Sequence, residues 1–308
     1  MNILVTGATG FLGQFLIQKL EAEGHNVVKI NSKNADLTTQ VSLNNFNSVK
    51  YDLIYHLAAW TQAGDFCLYH PGEQWVINQK INTNVLGWWS EFQPQSKFIS
   101  MGTSCSYAPE NQLIEKNYLL GEPIDSLYTY AHTKRMLQIG LQSLNKQYGL
   151  KYLTVVPSTL YGESYHNDGR QMHFIFDLIR KIIRGKEFGE EVILWGDGFQ
   201  KRELIYVKDF VEALYFLSGI SENEIINIGG GKEYTIREFA DSICNIVGYD
   251  HSKIIYDTSK YTGAKSKFLS IEKLMKIYPK FSQISLESGL RKTIDWFYTS
   301  KAYLPPSN

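Results

Sequence analysis

Two residues one helical turn apart, Tyr130 and Lys134, have the types and spacing of an acid–base pair. At positions i and i+4 of a helix, both side chains lie on one face. A tyrosine with a pKa of ~10 is a poor acid–base group at neutral pH unless a cation favours its phenolate, and Lys134 supplies that cation. A half-exposed helix with a solvated lysine is the alternative interpretation. The hydroxyl residues Thr103 and Ser104, at the end of a predicted strand, favour the interpretation as an acid–base pair.

A glycine-rich turn at Thr6–Gly13 predicts a dinucleotide site. Its glycines stand at 7, 10 and 13, between an apolar strand and a segment with helical apolar spacing. Such glycines permit a tight turn, close approach of a pyrophosphate and close packing of strand and helix. The helix N-terminus offers N–H groups and a positive dipole end to the phosphates. The spacing G-x-x-G-x-x-G differs from the dehydrogenase fingerprint, so the prediction depends on the flanking strand and helix.

The composition is that of a globular enzyme. The 308 residues include 31 Lys and Arg and 31 Asp and Glu, so no net charge attracts nucleic acid or an anionic membrane. No apolar run has the length of a membrane span, and the first strand leaves no room for a signal peptide. The three cysteines lack metal-ligand spacing. We therefore expect a cytoplasmic protein without a metal site.

The elements that must position these residues alternate along the first half of the chain, which indicates a doubly wound parallel sheet. The predicted strands are Asn2–Val5, Asn26–Ile30, Leu53–Leu57, Lys97–Met101 and Tyr152–Val156, and the predicted helices are 11–23, 74–92 and 130–148. Right-handed crossovers bring the C-terminal ends of the strands to one edge, where ligands bind. Three strand ends carry unusual residues there, at 7–13, 56–59 and 102–107.

After Val156 the pattern changes, and we expect a smaller α/β lobe that closes over this edge. The predicted elements are a turn at 157–162, a polar loop to Gly169, a helix over 172–184 and a strand over 192–195. Residues 204–217 and 225–228 are expected to return to the first lobe.

Together these motifs resemble the extended short-chain dehydrogenase/reductase family, also called the NAD-dependent epimerase/dehydratase family. The matching residues cover most of the chain: 6–13, 56–59, 84–87, Thr103 ahead of Tyr107, Tyr130 with Lys134, and Arg202-Glu203 before a strand ending in Asp209. The resemblance implies a Rossmann-type fold, a tyrosine acid/base, a lysine that tunes it, and a Ser or Thr that hydrogen-bonds the reacting oxygen, here Thr103. It also implies a homodimer formed through two helices of each subunit.

Within the family, the chain resembles the epimerase-reductases that act on a GDP-linked 4-keto-6-deoxy-hexose. The similar stretches are 102–107, 157–162, the helix opening at His173, 194–198 and 263–267. In those enzymes a cysteine and a histidine exchange protons at sugar carbons 3 and 5, and Cys105 and His173 stand at their positions.

This chemistry is reasonable because a 4-keto group acidifies the hydrogens on both carbons. A thiolate suits the base role when cations lower its pKa, and histidine suits the acid role near neutrality. Each residue also has a plain structural interpretation. Cys105 would then be a small buried thiol, and His173 a solvated residue at the start of a helix.

The resemblance implies two domains, a dinucleotide-binding Rossmann domain over 1–160, to which 204–228 returns, and a mainly nucleotide-sugar-binding domain over 161–308. NADP(H) is favoured and NAD(H) remains possible, because residues 31–34 lack the usual acid after strand 2 and Lys33 suits a 2′-phosphate. A solvated loop lysine is the alternative. The predicted cofactor-binding residues are Gly7, Thr9, Gly10, Phe11, Leu12, Gly13, Lys33, Asp36, Leu57, Ala58, Ala59, Tyr130, Lys134 and Pro157.

The predicted substrate is a nucleotide-diphosphate sugar, with a GDP-sugar favoured. Arg202 matches the family's phosphate arginine, and arginine binds phosphate bidentately. Lys267 aligns with a second anchor, and Lys181 stands where relatives have an arginine. The full set of predicted substrate-binding residues is Thr159, Lys181, Trp195, Arg202 and Lys267, with Arg170 suggested by proximity alone.

Departures from the pattern leave the substrate open. Residues 60–66 replace a glycine-rich segment, and Trp60 and Phe66 would reshape the sugar pocket; Thr159 replaces an expected Asn. The sequence is therefore compatible with another 4-keto sugar as substrate, or with only epimerisation or only reduction. The alternatives are an epimerase that keeps its NAD without net redox, a plain 4-ketoreductase, and a non-catalytic dinucleotide sensor, which retention of the Tyr, Lys and Thr disfavours.

Overall fold

A sheet of six parallel strands forms the centre of the computed structural model, which describes residues 1–63, 66–260 and 265–304. The strands of the described chain are β1 (Asn2–Thr6), β2 (Asn26–Ile30), β3 (Leu53–His56), β4 (Lys97–Met101), β5 (Tyr152–Pro157), β6 (Thr159–Tyr161), β7 (Ile193–Trp195), β8 (Lys201–Tyr206), β9 (Glu224–Ile228), β10 (Glu233–Thr235) and β11 (Ile255–Asp257). The central sheet has the order β2-β1-β3-β4-β5-β9. The strand order reverses beside β1, as in Rossmann folds. The predicted α/β fold class is confirmed.

Helices cover both faces of this sheet and build the second lobe. They are α1 (Phe11–Ala22), α2 (Phe66–Tyr69), α3 (Pro71–Phe92), α4 (Tyr128–Tyr148), α5 (Phe174–Phe188), α6 (Val207–Ile220), α7 (Ile236–Val247), α8 (Glu272–Ile277) and α9 (Leu286–Ser300). The predicted helix over 74–92 begins earlier than expected, because Pro71 is at its first turn and its fixed φ starts a helix without loss of a hydrogen bond. Gly149, in the left-handed conformation at φ 71°, ends α4.

The second lobe differs from the sequence prediction just after β5. Residues 157–162 were expected to form a turn, but Pro157 ends β5 and Thr159–Tyr161 form β6, which pairs in parallel with β8. A three-stranded sheet of order β10-β8-β6 results, and β7 pairs with β11. The alternation of apolar and polar residues over three positions is too short to separate a strand from a turn by sequence.

The predicted return to the first lobe is therefore divided between two sheets. Strand β8 stays in the three-stranded sheet, whereas α6 packs on α1 and β9 pairs with β5 in the central sheet.

Alternation along β1 divides the core between the two faces of the sheet. Ile3 and Val5 face the cluster under α1 and α6, and Leu4 faces the cluster that contains Trp88 and Trp89 of α3. A separate cluster fills the second lobe between α5, α7 and α9. The predicted domain boundary at residue 160 remains a prediction. The last residues of the predicted second domain, 305–308, lie outside the described residues.

Among the described residues, no helix is both long and apolar enough to cross a membrane. No group of three or more His, Cys, Asp or Glu residues among them is arranged to hold a metal ion.

Candidate active site

The glycine turn after β1 lies directly against the end of β3. A Cβ on Gly7, whose φ is 69°, would stand 2.8 Å from the Ala58 nitrogen, and one on Gly13 would stand 2.3 Å from the Gly7 carbonyl oxygen. Neither space admits a side chain. Gly10 caps α1 without a side chain, so the first N–H groups of the helix point from the turn, at Phe11, Leu12 and Gly13. This cradle of backbone donors fits the phosphates of a dinucleotide.

A buried histidine joins the turn to α3 and α4. The Ala58 N–H donates to Thr6 Oγ1 at 3.2 Å, and Thr6 Oγ1 contacts His56 Nδ1 at 2.9 Å. His56 Nε2 contacts Asn82 Oδ1 at 3.2 Å, while Asn82 donates its amide to the Thr133 carbonyl. Nε2 must therefore carry the proton. Burial and the Lys134 charge lower the pKa of His56 to about 4, so the ring is a neutral structural link.

The other predicted cofactor residues lie around the same sheet edge. Leu57, Ala58 and Ala59 are half-buried after β3, and Thr9 is exposed in the turn. Lys33 is exposed after β2, and only its backbone N–H is engaged, with the Asn31 side chain. Asp36 accepts from the N–H and hydroxyl of Thr38, which lower the pKa of its carboxyl. Pro157 closes β5, half-buried at the edge. The cofactor roles of these residues remain predictions.

Helix α4 presents Tyr130 and Lys134 next to Thr103. Lys134 is buried, and desolvation lowers its pKa to about 8. The expected lowering of the Tyr130 pKa by Lys134 does not occur: burial raises it strongly, nearby Cys105, Tyr118 and Cys67 add to the rise, and a hydrogen bond with Thr103 opposes it. Desolvation of the Tyr130 phenol is the largest of these effects. Tyr130 is thus a protonated phenol at neutral pH, ready to donate.

A short 3-10 turn at Ser104–Ser106 carries the candidate base. Thr103 Oγ1 accepts from the Cys105 N–H at 3.2 Å and caps this turn. Lys267 Nζ donates to Cys105 Sγ at 3.0 Å. Burial opposes ionisation of the thiol, but the Lys267 charge and the hydrogen bonds from Thr103 and Lys267 outweigh it, and the Cys105 pKa falls below its usual value. A thiolate beside an ammonium is a nucleophile and base.

His173 stands at the N-cap of α5, with an exposed side chain. Its pKa is nevertheless lowered to about 4, first by desolvation and then by the charges of His166 and Lys267. Tyr165 stacks on Phe176 at 3.8 Å and lies 6.4 Å, ring to ring, from His173. The His173 ring is therefore neutral at pH 7 in this structure, and its predicted role as the acid stays a prediction.

A narrow cleft joins these groups to the second lobe. Its lining residues are Ser104, Ser158, Thr159, Arg202, Glu203, Lys267 and Leu269. Arg202 Nη1 donates to the Lys201 carbonyl at 2.7 Å, and burial lowers the Arg202 pKa while Glu233 and Cys105 oppose that change. Cys105 and Arg202 thus influence each other across the cleft. Thr159, Arg202 and Lys267 are brought together as predicted, and their binding roles stay predictions.

Two other predicted substrate residues do not line this cleft. Lys181 forms an ion pair with Asp177 at 3.0 Å and donates to the Ile193 carbonyl. Trp195 is 57% exposed at the end of β7. Of the resembling stretch 263–267, residues Gly263 and Ala264 lie outside the described residues.

Sequence reasoning missed residues that hold the Thr103–Ser106 turn in place. Arg135 is buried on α4 and donates to the carbonyls of Ser106, Leu120 and Gly121. The Thr103 N–H donates to the Tyr118 hydroxyl at 3.3 Å. An arginine directly after Lys134 looks like a solvated helix residue, and no local pattern distinguishes a buried one.

The segment that departs from the family pattern forms an aromatic group after β3. Trp60 and Phe66 have ring centroids 4.8 Å apart, and Phe66 stacks on His70 at 4.7 Å. Asn78 of α3 fixes the Trp60 backbone at both its N–H and its carbonyl. Cys67, in the same region, accepts from Gln74 at 3.3 Å, and burial raises its pKa, in contrast to Cys105.

Comparison with known proteins gives relatives along nearly the full chain. A GDP-L-fucose synthase from Sinorhizobium fredii is 32% identical over 98% of this chain and 96% of its own. A GDP-L-colitose synthase from Yersinia pseudotuberculosis is 28% identical over 98% and 99%. The crystal structure of a GDP-L-fucose synthetase from Naegleria fowleri, also solved bound to NADP, covers 97% of this chain and 94% of its own, with a TM-score of 0.87 at 24% identity.

The family profile described as "NAD dependent epimerase/dehydratase family" matches residues 3–229. That range contains the glycine turn, the Tyr130–Lys134 pair, Cys105 and His173, whereas Lys267 lies beyond it. From the match and the full-length relatives together, the chain belongs to the NAD-dependent epimerase/dehydratase family and is an NAD(P)-dependent nucleotide-sugar epimerase/reductase of that family.

Proposed function

We propose that this protein is an NADP(H)-dependent epimerase-reductase of a GDP-linked 4-keto-sugar. One observation carries the proposal: the Lys267 ammonium lies 3.0 Å from the Cys105 sulfur, and Cys105 is joined through Thr103 to Tyr130. A plain reductase needs no thiolate there. The relatives named for GDP-L-fucose and GDP-L-colitose support the guanine nucleotide.

Epimerisation begins at a C–H bond beside the 4-ketone. The Cys105 thiolate removes the proton from carbon 3 or carbon 5, and the electron pair moves to the ketone oxygen as an enolate. Proton return to the opposite face inverts the centre. We assign that return to His173, whose pKa must rise from about 4 for the ring to act as an acid. The negative diphosphate of a bound substrate has the sign needed for that rise.

Reduction of carbon 4 follows on the other side of the cleft. The residues of the glycine turn fit a dinucleotide, which when bound supplies a hydride from its nicotinamide. Tyr130 donates its phenolic proton to the ketone oxygen, and Thr103 hydrogen-bonds the same oxygen. Because burial keeps the Tyr130 proton in place, the phenol is in the form that reduction consumes. Lys134 stabilises the phenolate left behind.

The ligand roles follow from charge and position. Arg202 and Lys267 bind the substrate diphosphate and sugar, and Lys33 meets the 2′-phosphate of NADP(H), supported by its exposed ammonium after β2. We also infer a homodimer through α3 and α4. Exposed apolar residues on these two helices support it: Trp75, Val76, Met136 and Ile139.

A plain 4-ketoreductase is the second candidate, and the state of His173 favours it. A ring with a pKa of about 4 lacks the proton that inversion requires. In that case Cys105 is a bystander and only the Tyr130 half of the cleft reacts.

The deciding experiment is turnover of GDP-4-keto-6-deoxy-mannose in deuterated water, with NADPH and then NADH, followed by mass spectrometry and nicotinamide absorbance. We expect deuterium at carbons 3 and 5 and stoichiometric loss of NADPH, with slower loss of NADH. Loss of NADPH without deuterium would establish the plain reductase. Deuterium without cofactor consumption would establish an epimerase that recycles its hydride.

A further inference from the structure

Lys267 reaches Cys105 from an irregular segment that other residues must hold in place. Residues 265–270, here called the strap, cross from the second lobe to the first. The Lys201 N–H donates to the Lys265 carbonyl at 2.8 Å, and the Ser270 N–H donates to the Leu113 carbonyl at 3.0 Å. Between these two points the strap has no regular secondary structure apart from the single bridge of Leu269 to Leu113. The position of the ammonium therefore depends on side-chain contacts to the middle of the strap.

Glu203 makes the most buried of these contacts. On β8 it is next to Arg202, and neighbouring strand residues point to opposite faces. Its side chain is 2% exposed. Oε2 accepts from the Leu269 N–H at 3.0 Å, and Oε1 accepts from the Gly231 N–H at 2.9 Å. Each oxygen thus holds a different segment, the strap on one side and the loop before β10 on the other.

The fit around this carboxylate is close. A Cβ on Gly229 would stand 2.4 Å from Glu203 Oε1, so a side chain at that position would displace the acid. Burial raises the pKa of Glu203 to about 7, against the opposing effect of the Leu269 and Gly231 N–H groups. A carboxylate is costly to bury, and an apolar residue of similar size would avoid that cost.

We propose that Glu203 is a positioning residue for epimerisation: by binding the Leu269 N–H it fixes the strap so that Lys267 stays against the Cys105 thiolate. Glu233 holds the same strap further along, where its Oε1 accepts from the Lys267 N–H at 2.9 Å and the Ser266 hydroxyl at 2.6 Å. The inference rests on the proposed role of Cys105 as the base. It also predicts that Glu203 and Glu233 differ in the number of acceptor oxygens they need.

Glu203 needs two acceptor oxygens, whereas Glu233 needs one. In Glu203→Gln the amide nitrogen would face either the Leu269 or the Gly231 N–H, and two donors repel. In Glu233→Gln the amide oxygen can still accept from both the Lys267 N–H and the Ser266 hydroxyl. The second variant is therefore a matched control, because it makes the same Glu→Gln change in a second acid that contacts the strap.

The test measures the pKa of the Cys105 thiol directly, from the rate of alkylation by iodoacetamide between pH 6 and 10, with the modified cysteine located by peptide mass spectrometry. We expect Glu203→Gln to raise the thiol pKa by about one unit, which reduces the thiolate about tenfold at pH 7. Glu233→Gln should leave it near the wild-type value. Asp209→Asn, which removes a half-buried carboxylate that accepts from the Ile284 N–H elsewhere, controls for general loosening of the fold.

An unchanged thiol pKa in folded Glu203→Gln overturns the inference. If that variant fails to fold, Glu203→Asp keeps both acceptors one methylene further away, and an unchanged pKa there overturns it equally. In Lys267→Met, the addition of Glu203→Gln should cause no further rise, because the ammonium that Glu203 positions is gone. A raised thiol pKa with normal deuterium exchange at carbons 3 and 5 would support the positioning role and reject Cys105 as the base.

Discussion

The two halves of the candidate active site each place a lysine beside an acid–base residue, but they build the pair differently. Lys134 stands one turn from Tyr130 on α4, where Lys134 is buried and Tyr130 is partly buried. Lys267 comes from a strap 162 positions away in sequence to meet Cys105 at 3.0 Å. In the first half burial decides the pKa of the partner, which rises. In the second half the cation decides it, and it falls.

This difference matches the chemistry proposed for each half. A reductase half needs a proton held until hydride arrives, and desolvation of Tyr130 holds it there. An epimerase half needs a base that ionises readily, and the direct ammonium contact lowers the pKa of the Cys105 thiol. Thr103 connects the halves, because it hydrogen-bonds Tyr130 and caps the turn that carries Cys105.

The largest effect is expected from removal of the Tyr130 phenol, which should separate reduction from epimerisation. Tyr130→Phe should lower the rate of NADPH oxidation by about 10³-fold, because it removes the proposed proton donor to the ketone oxygen. Deuterium exchange at carbons 3 and 5 should continue. Tyr128→Phe is the matched control, two residues earlier on the same helix and exposed. Turnover near the wild-type rate in Tyr130→Phe would reject its catalytic role.

Removal of the Cys105 thiol should have the opposite result: it should impair deuterium exchange and spare reduction. Cys105→Ser is expected to lower deuterium exchange by about 10²-fold, because a hydroxyl ionises far less readily than this thiol. The ketone should still be reduced, to an unepimerised product that nuclear magnetic resonance identifies. Cys244→Ser, in the core of the second lobe, is the control for loss of a buried thiol. Undiminished exchange in Cys105→Ser would make this thiol structural.

A smaller effect tests the cation in the second half. Lys267→Met should raise the Cys105 pKa, so the pH profile of exchange should shift upward by about one unit and its rate at pH 7 should fall about tenfold. Because the folded-state pKa is lowered by the ammonium, the loss is greatest at low pH and disappears once both thiols are ionised. Lys265→Met, on the same strap and exposed, is the control. An unshifted profile would mean that the ammonium does not tune the thiol.

The smallest effect is on stability and concerns Lys134. Burial lowers its folded-state pKa from 10.5 to about 8, so the unfolded chain binds more protons between those values and stability rises with pH across that window. Below pH 8 the buried charge costs up to about 3 kcal/mol. Lys134→Met should therefore raise the free energy of unfolding at pH 7 by about 1–3 kcal/mol in urea, while reduction is lost. Destabilisation at pH 7 would show that the buried charge is well compensated.

The sequence predicted the parallel sheet well, because each strand is a short apolar run bounded by turn residues. Asn26–Ile30 and Lys97–Met101 have the predicted bounds. The second lobe was harder to predict, because β6 covers only Thr159–Tyr161 and pairs with β8, which is distant in sequence. Short strands become visible only when their partners are known.

What the sequence determined by itself was local: the glycine turn, whose tight spaces at Gly7 and Gly13 admit no side chain, and the Tyr130–Lys134 pair, which the helical period places on one face. Only the tertiary structure decided the direction of each pKa, because it depends on burial and on charges from distant segments. It also brought Lys267 to Cys105 and turned Glu203 toward the strap. Helical and strand periods act over a few residues, whereas desolvation and charge act through space between segments that only packing brings together.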